Sequence, residues 1–383
     1  MSHFRLHAQR LFDGQNYSDN QVLTLSDGKI ISIDQELTNI DHYAKGLVVP
    51  GFIDLQVNGG GGALLNDAPS VAKIKTIMTA HAKFGTTGMM PTLITDKVEV
   101  MSQAAEAISQ AIKENVLGIL GIHFEGPHLS VAKKGAHSAE FIRPITDEEW
   151  QVLERKDIGK IIVTLAPETV STDDIERMIS LGIKVCLGHT NADYLTAQNA
   201  IDSGANGFTH LFNAMSPLQG REPGVVGAAL LNDKTSCGLI VDGHHVDYAT
   251  CQLAIKTKPQ GKIFLVTDAM PPVGTNDDEF AFFNRTVHLA NGKLTSTTGE
   301  LAGSVLDMAT AVRNCHQCLN MPLDEAIRMA SKYPLNYLHG NENKTTESEM
   351  LIAGANADFV VIDDNIQVQE TWIAGQQVFK QSK

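Results

Sequence analysis

Cysteine is scarce. Cys186, Cys237, Cys251, Cys315 and Cys318 are the only five in 383 residues, an odd and sparse set that excludes a disulfide framework. No window of about 18 apolar residues exists, which excludes a conventional membrane-spanning helix. The start, Met1-Ser2-His3-Phe4-Arg5-Leu6-His7, lacks the apolar stretch of a signal peptide, so a cytoplasmic soluble protein is the expectation. Aromatic residues make up only 6% and prolines number 13, a composition foreign to collagen-like repeats and coiled coils. Positive charge is also short: 30 Lys and Arg against 44 Asp and Glu leave a net charge of −14. Nucleic acid and anionic membrane are thereby disfavoured as partners, because neutralising phosphates takes a basic face. An anionic substrate would need a site that is positive locally, against the overall field.

What is present is enough apolar material for a full core, 43% of the chain, arranged in alternation. Short β-branched runs at Val48–Val57, Thr87–Thr95, Gly118–Phe124, Ile161–Ala166, Lys184–Leu187, Gly207–Leu211, Cys237–Val241 and Ile263–Thr267 read as strands. Amphipathic stretches lie between them, among them Val71–Phe84, Val98–Glu114, Asp173–Leu181, Ala192–Ser203 and Val246–Lys256, several opened by capping residues such as Ser70, Ser171 and Asn191. Eight strands with crossover helices predict an α/β fold, a (β/α)8 TIM barrel. Both ends of the chain read instead as short strands with turns, and Asp27-Gly28 marks a hairpin. We expect residues 1–47 and 346–383 to build one small β-sandwich domain beside a barrel of residues 48–345. Asn291-Gly292, in the loop after the last strand, predicts a further hairpin.

The polar residues that follow these strands carry the chemistry. Strand one ends in Gln56-Val57-Asn58, strand three in His123-Phe124-Glu125-Gly126-Pro127-His128 and strand five in Gly188-His189-Thr190. Strand six ends in Thr209-His210-Leu211-Phe212-Asn213, strand seven in Asp242-Gly243-His244-His245 and strand eight in Thr267-Asp268-Ala269-Met270. A parallel barrel gathers all these ends on one face, where barrel enzymes place their sites. Glu125, His189 and His210 then offer one carboxylate and two imidazoles, with a fourth position left for water, as catalytic zinc sites do. The 21-residue step from His189 to His210 is about one β/α unit and makes the two histidines neighbours. Cys315-His316-Gln317-Cys318 resembles half of a zinc motif but has no second cysteine pair, so it reads as a buried helix face. Gly59–Gly62 lacks the Gly-Lys-Ser/Thr of a phosphate loop and reads as a flexible loop at the barrel mouth.

The Val49-Pro50-Gly51-Phe52-Ile53-Asp54 segment, with a strand-five His, a strand-six His and a strand-eight Asp, resembles the amidohydrolase superfamily. His123-Phe124-Glu125-Gly126-Pro127-His128, Thr209-His210-Leu211-Phe212-Asn213-Ala214-Met215 and Asp242-Gly243-His244-His245-Val246-Asp247 narrow the resemblance to the N-acetylglucosamine-6-phosphate deacetylase family. It extends over essentially the whole chain, the split β domain included. The resemblance implies a metal-dependent deacetylase of a small sugar phosphate, commonly a homodimer, acting in amino-sugar catabolism. It implies Glu125, His189 and His210 as ligands of one divalent metal, expected to be zinc, with Asp268 as general base and acid and His137 on the acetyl carbonyl. It further implies that Ala136, His137, Asn213, Ala214, Arg221, His245, Leu301, Ala302 and Gly303 hold the substrate, with Arg221 and His245 on the phosphate. Many superfamily members carry His-x-His where this chain has Gln56-Val57-Asn58. Amides are poor zinc ligands, so a single metal is expected. Competing expectations are a deacetylase of N-acetylgalactosamine 6-phosphate, a cyclic-amide hydrolase, and a catalytically silent barrel acting as a scaffold. Ala166-Pro167-Glu168 at the end of strand four offers no metal-bridging lysine for the second, and the intact set of four polar residues speaks against the third.

Overall fold

The computed structural model describes residues 3–283, 285–296, 299–340 and 351–382. Eight parallel strands follow one another around one sheet in sequence order. They are Phe52–Val57, Thr86–Ile94, Gly121–Glu125, Lys160–Leu165, Lys184–Leu187, Gly207–Phe208, Ser236–Leu239 and Ile263–Leu265, hereafter barrel strands one to eight. Each is buried along almost its whole length, which is why these segments read as continuous apolar runs rather than alternating ones. Helices cross between them, opened where the chain offers an oxygen to a free N–H: Ser70 to Lys73, Ser171 to Asp174, Asp247 to Ala249. Asn191 does not cap as expected; helix Tyr194–Asp202 starts later, on the carboxylate of Asp193.

The ring closes between strands eight and one. Asp268 N–H donates to the Gln56 carbonyl at 3.0 Å, and Asn58 N–H donates to the Ala269 carbonyl at 3.0 Å. The ends of the first and last strands are therefore side by side, 212 residues apart in sequence at Gln56 and Asp268.

The two ends of the chain share a seven-stranded sheet. Strands Phe4–Phe12, Tyr17–Ser26, Lys29–Asp34 and His42–Pro50 join Phe359–Ile362, Val368–Ile373 and Gln376–Lys380. The expected sandwich is one sheet folded over on itself, since Leu6, Leu25 and Ile30 from the start pack with Phe359, Val361 and Trp372 from the end in one apolar core. Val48 and Val49 pair with Val361 and Val360, so this sheet runs past the expected boundary at 47, as far as Pro50. The other expected boundary, at 346, lies outside the described residues.

Glu279–Phe282, Arg285–Ala290 and Lys293–Ser296 form a third, antiparallel sheet. Asn291 and Gly292, at φ of 51° and 76°, make its tight turn as the sequence predicts. Its apolar side packs Phe282, Val287 and Leu294 against Ile94, Met270 and Ala302 at the barrel mouth. All five cysteines are free, and Cys315 is buried on the inner side of helix Met308–Gln317. No helix among the described residues is long and apolar enough to cross a membrane.

Candidate active site

The barrel strands stop short of the residues that matter. The run predicted as Gly207–Leu211 is a strand only to Phe208, and strand eight ends at Leu265. Beyond those points His189, His210 and Asp268 take positive φ angles of 48°, 34° and 53°. The left-handed region is disfavoured for such side chains, and strain of this kind concentrates at functional sites. Here the backbone turns at the strand end with each of the three side chains lining the mouth cavity.

Three of those side chains meet. His210 Nε2 lies 3.0 Å from Glu125 Oε1 and 3.0 Å from His189 Nε2, and His189 Nε2 lies 3.3 Å from the same carboxylate oxygen. His189 Nδ1 donates to the Lys133 carbonyl at 2.9 Å, and a carbonyl only accepts, so the Nε2 lone pair points into the cluster. One ligand atom from each residue falls within 4.8 Å of the others. Two imidazoles and a carboxylate, all buried and converging, are a donor set that fits a divalent metal. Among the described residues no other group of three His, Cys, Asp or Glu has this arrangement.

Gln56 and Asn58 explain the departure in strand one. Gln56 Nε2 donates to Glu125 Oε1 at 3.0 Å and to Asp268 Oδ1 at 3.1 Å, and Asn58 Nδ2 donates to Asp268 Oδ1 at 2.6 Å. Both amides present N–H groups, not lone pairs, to the carboxylates, so strand one orients the acids instead of ligating a second ion. Burial alone would raise the Glu125 carboxyl, but the His189 and His210 imidazoles against it hold it well below the usual carboxylate range. Asp268 is pushed up to about 6, by burial first and by the Glu125 charge second. Burial and the neighbouring His189 push the His137 imidazole well down.

One cavity gathers Ala136, His137, Asn213, Ala214, His245, Leu301, Ala302 and Gly303 around Glu125, His189, His210 and Asp268. The loop carrying His137 is tied to His189 twice, through Lys133 and through Ser130 N–H donating to the His189 carbonyl at 2.9 Å. The Leu301–Gly303 segment is drawn in because Ser304 N–H donates to the Asp268 carbonyl at 2.9 Å. Gly303, at φ +63°, is pressed so close that an added Cβ would sit 2.4 Å from Met270, and a side chain there would fill the cavity wall.

Arg221 is the exception. It is exposed, and it does not line this cavity. Asn58 and Met270, which stand at the strand ends read from sequence, line it too, as do Ile94, Gly135 and Phe282, which the sequence does not single out. Asn58 was visible as the end of strand one, whereas Phe282 comes from a hairpin that folds back over the mouth and carries no motif.

Comparison with known proteins agrees with this geometry. The model of the amidohydrolase family matches residues 47–378. The chain is 43% identical over 372 residues to an N-acetylgalactosamine-6-phosphate deacetylase of Shewanella sp. strain ANA-3, covering 95% of this chain and 93% of that one. It is 36% identical over 348 residues to an N-acetylglucosamine-6-phosphate deacetylase of Haemophilus influenzae, covering 90% and 89%. A crystal structure of N-acetylglucosamine-6-phosphate deacetylase from Pasteurella multocida superposes with a TM-score of 0.92 at 34% identity, covering 98% of this chain and 99% of that one. The chain belongs to the amidohydrolase family, in its branch of deacetylases of N-acetylated hexosamine 6-phosphates.

Proposed function

We propose that this chain hydrolyses the acetamide bond of N-acetylglucosamine 6-phosphate, releasing acetate and glucosamine 6-phosphate, as a cytoplasmic homodimer with one zinc ion per subunit. The observation that carries the reading is the convergence of Asp268 with Glu125, His189 and His210 in one cavity that also presents His245, Asn213 and Ala214. Relatives that share most of the chain's length supply the substrate class. Five unpaired cysteines support a reducing compartment. Leu195, Leu231 and Leu253 on neighbouring helices, and Leu218 in the loop before helix Gly224–Leu231, are exposed and support a second copy seated there.

When bound by Glu125, His189 and His210, zinc would polarise the acetyl carbonyl and lower the pKa of water toward about 7. The proton handling falls to Asp268. Its Oδ1 is engaged by Gln56 and Asn58, which leaves Oδ2 to take a proton from the attacking water. Asp268 then gives that proton to the sugar nitrogen as the C–N bond breaks, since an amide anion is too basic to leave unprotonated. His137 donates to the carbonyl oxygen, where negative charge develops. His245, Asn213 and Ala214 hold the phosphate end, Arg221 serves it from the neighbouring subunit, and Ala136 with the Leu301–Gly303 backbone lines the sugar.

A second reading, N-acetylgalactosamine 6-phosphate as the preferred substrate, is favoured by the Shewanella relative at 43% identity. Acetate release from both 6-phosphates and from the unphosphorylated sugars tests both. Turnover of the gluco epimer at the higher kcat/KM supports the proposal. Preference for the galacto epimer replaces it by the second reading, and no acetate from any of the four overturns both.

A further inference from the structure

One layer below the metal cluster the inside of the barrel is polar, where such interiors are ordinarily filled by branched apolar side chains. His123 stands two residues before Glu125 on barrel strand three, so both side chains point inward and His123 lies one step deeper. His123 Nδ1 donates to the Leu55 carbonyl of strand one at 3.1 Å, and its Nε2 lies 2.7 Å from the Thr164 hydroxyl of strand four. That hydroxyl in turn meets the hydroxyl of Thr209, just past strand six, at 2.6 Å. Thr92 of strand two, in register beside His123, accepts the Val57 N–H at 2.9 Å. All four side chains are buried, and each of their polar atoms has a partner. Burying such groups is costly unless they are bonded, and a fully bonded network is rigid. None of the four lines the cavity, so whatever they do for the reaction they do through other residues.

The groups this network holds are the chain neighbours of the site's own residues. Leu55 and Val57 flank Gln56, whose amide donates to Glu125 and Asp268. Thr164 stands in register beside Glu125, and Thr209 immediately precedes His210 at its left-handed turn. We propose that His123 is a positioning residue of the metal centre, with Thr164 and Thr209 as its arm, and that it fixes Glu125, His210 and Gln56 relative to one another so that the cation meets a preformed donor set. A left-handed turn at a residue with a side chain is strained and persists only where its surroundings over-determine it. Thr209 supplies that restraint next to the turn, because its N–H donates to the Leu187 carbonyl at 3.1 Å while its hydroxyl is held by Thr164. With the arm cut, the backbone at His210 loses one of its two anchors, and the imidazole is no longer held at the spacing the other two donors require.

The inference rests on the metal-dependent reading, and its test separates the two. Zinc is withdrawn from the zinc-loaded enzyme by a chromophoric chelator of known affinity, which gives the zinc Kd, and the visible spectrum of the cobalt-exchanged enzyme reports the ligand geometry. Thr164→Val keeps the outline of the side chain and removes the hydroxyl, which cuts the arm between His123 and Thr209. It should raise the zinc Kd about 10- to 100-fold, the size of effect that groups behind metal ligands have, and shift the cobalt bands. Thr164→Ser keeps the hydroxyl and should return both readings to near the wild type. With zinc saturating, Thr164→Val should lower kcat for N-acetylglucosamine 6-phosphate and leave KM nearly unchanged. Thr209→Val should repeat these losses, and the double variant should lose no more than either alone, since each cuts the same link. An unchanged zinc Kd and cobalt spectrum in Thr164→Val, or equal changes in Thr164→Ser, would make the layer packing alone and overturn the proposal. A loss confined to KM overturns it as well, because it would place the network's effect on the substrate. Should Thr164→Val lose its cooperative melt, Thr209→Val against Thr209→Ser decides the matter by the same readings. A wild type that holds neither zinc nor cobalt overturns the metal reading and this inference with it. Acetate release by the wild type judges the deacetylase reading independently of the ratio of the Kd values.

Discussion

His189 Nε2 and His210 Nε2 face each other at 3.0 Å. The Glu125 carboxylate shares the space. A cation held by these three buried groups binds the folded state alone, because the unfolded chain does not bring them together, so metal binding and folding stability should be linked. A ligand bound to the native state alone adds about 4 kcal/mol at a thousandfold excess over its Kd. Removing the metal with dipicolinate should lower Tm by several degrees, and zinc should restore it. In His189→Ala the melt should be lower and indifferent to added zinc. Identical melts for chelated and zinc-loaded wild type would show that these three residues do not form the metal site.

Asp268→Asn separates the proton carrier from the ligands. The substitution keeps an oxygen for Gln56 and Asn58, whose amides donate to Oδ1, and removes only the acceptor at the other position. Zinc content should stay at one per chain while kcat falls by about 10²- to 10⁴-fold. If zinc is lost together with activity, Asp268 belongs to the ligand set.

Both predictions use residues whose grouping is legible in the sequence, because a β/α repeat brings every strand end to one face. His189 and His210 are one repeat apart, and Glu125 and Asp268 close the circle. The left-handed turns at His189, His210 and Asp268 leave no trace in residue type, since only glycine or asparagine would announce them. Asp242 was in view as part of a motif, but its bond to His245 depends on a loop conformation that spacing alone does not specify. Phe282 reaches the cavity through a hairpin packed over the mouth, a long-range contact with no period to reveal it. The parallel pairing of Phe4–Phe12 with His42–Pro50 was hidden for the same reason.

Asp54 gives the stability a pH dependence of defined sign. It is fully buried and accepts from Gln56 N–H, Thr267 N–H and the Thr267 hydroxyl. Burial nevertheless pushes its carboxyl up to about 7, with Asp268 adding to the rise. The unfolded value is about 3.9, so the folded state holds this proton more tightly. Its contribution to stability is therefore complete below about pH 4 and is lost as pH rises through about 7. Asp54→Asn removes the titration while keeping the side chain's shape. The Tm of the wild type relative to Asp54→Asn should be higher at pH 5 than at pH 8, measured at equal zinc loading. A difference that stays flat across that range would mean that Asp54 is ionised throughout.

Arg221 tests the assembly. It sits exposed on the segment between Met215 and helix Gly224–Leu231, whose base is pinned by Glu222 accepting from Tyr194 N–H at 2.8 Å and Gly224 N–H at 2.9 Å. In the proposed homodimer a loop held at its base and absent from its own cavity would serve the neighbour's, with exposed Leu218 beside it as an apolar footing. Arg221→Ala should lower kcat/KM for the phosphorylated substrate by roughly 10- to 150-fold, from about 1.5–3 kcal/mol for a charge-assisted bond. Asp268→Asn should be nearly inactive by itself. Subunits of the two variants, unfolded and refolded together, should regain roughly a quarter of the wild-type rate, since half of randomly paired dimers are mixed and each mixed dimer has one complete site. That recovery has no explanation if Arg221 acts within its own subunit, because then every chain in the mixture lacks either the arginine or the base. A mixture that is no more active than its better component would place Arg221 in its own subunit's site, or outside catalysis altogether.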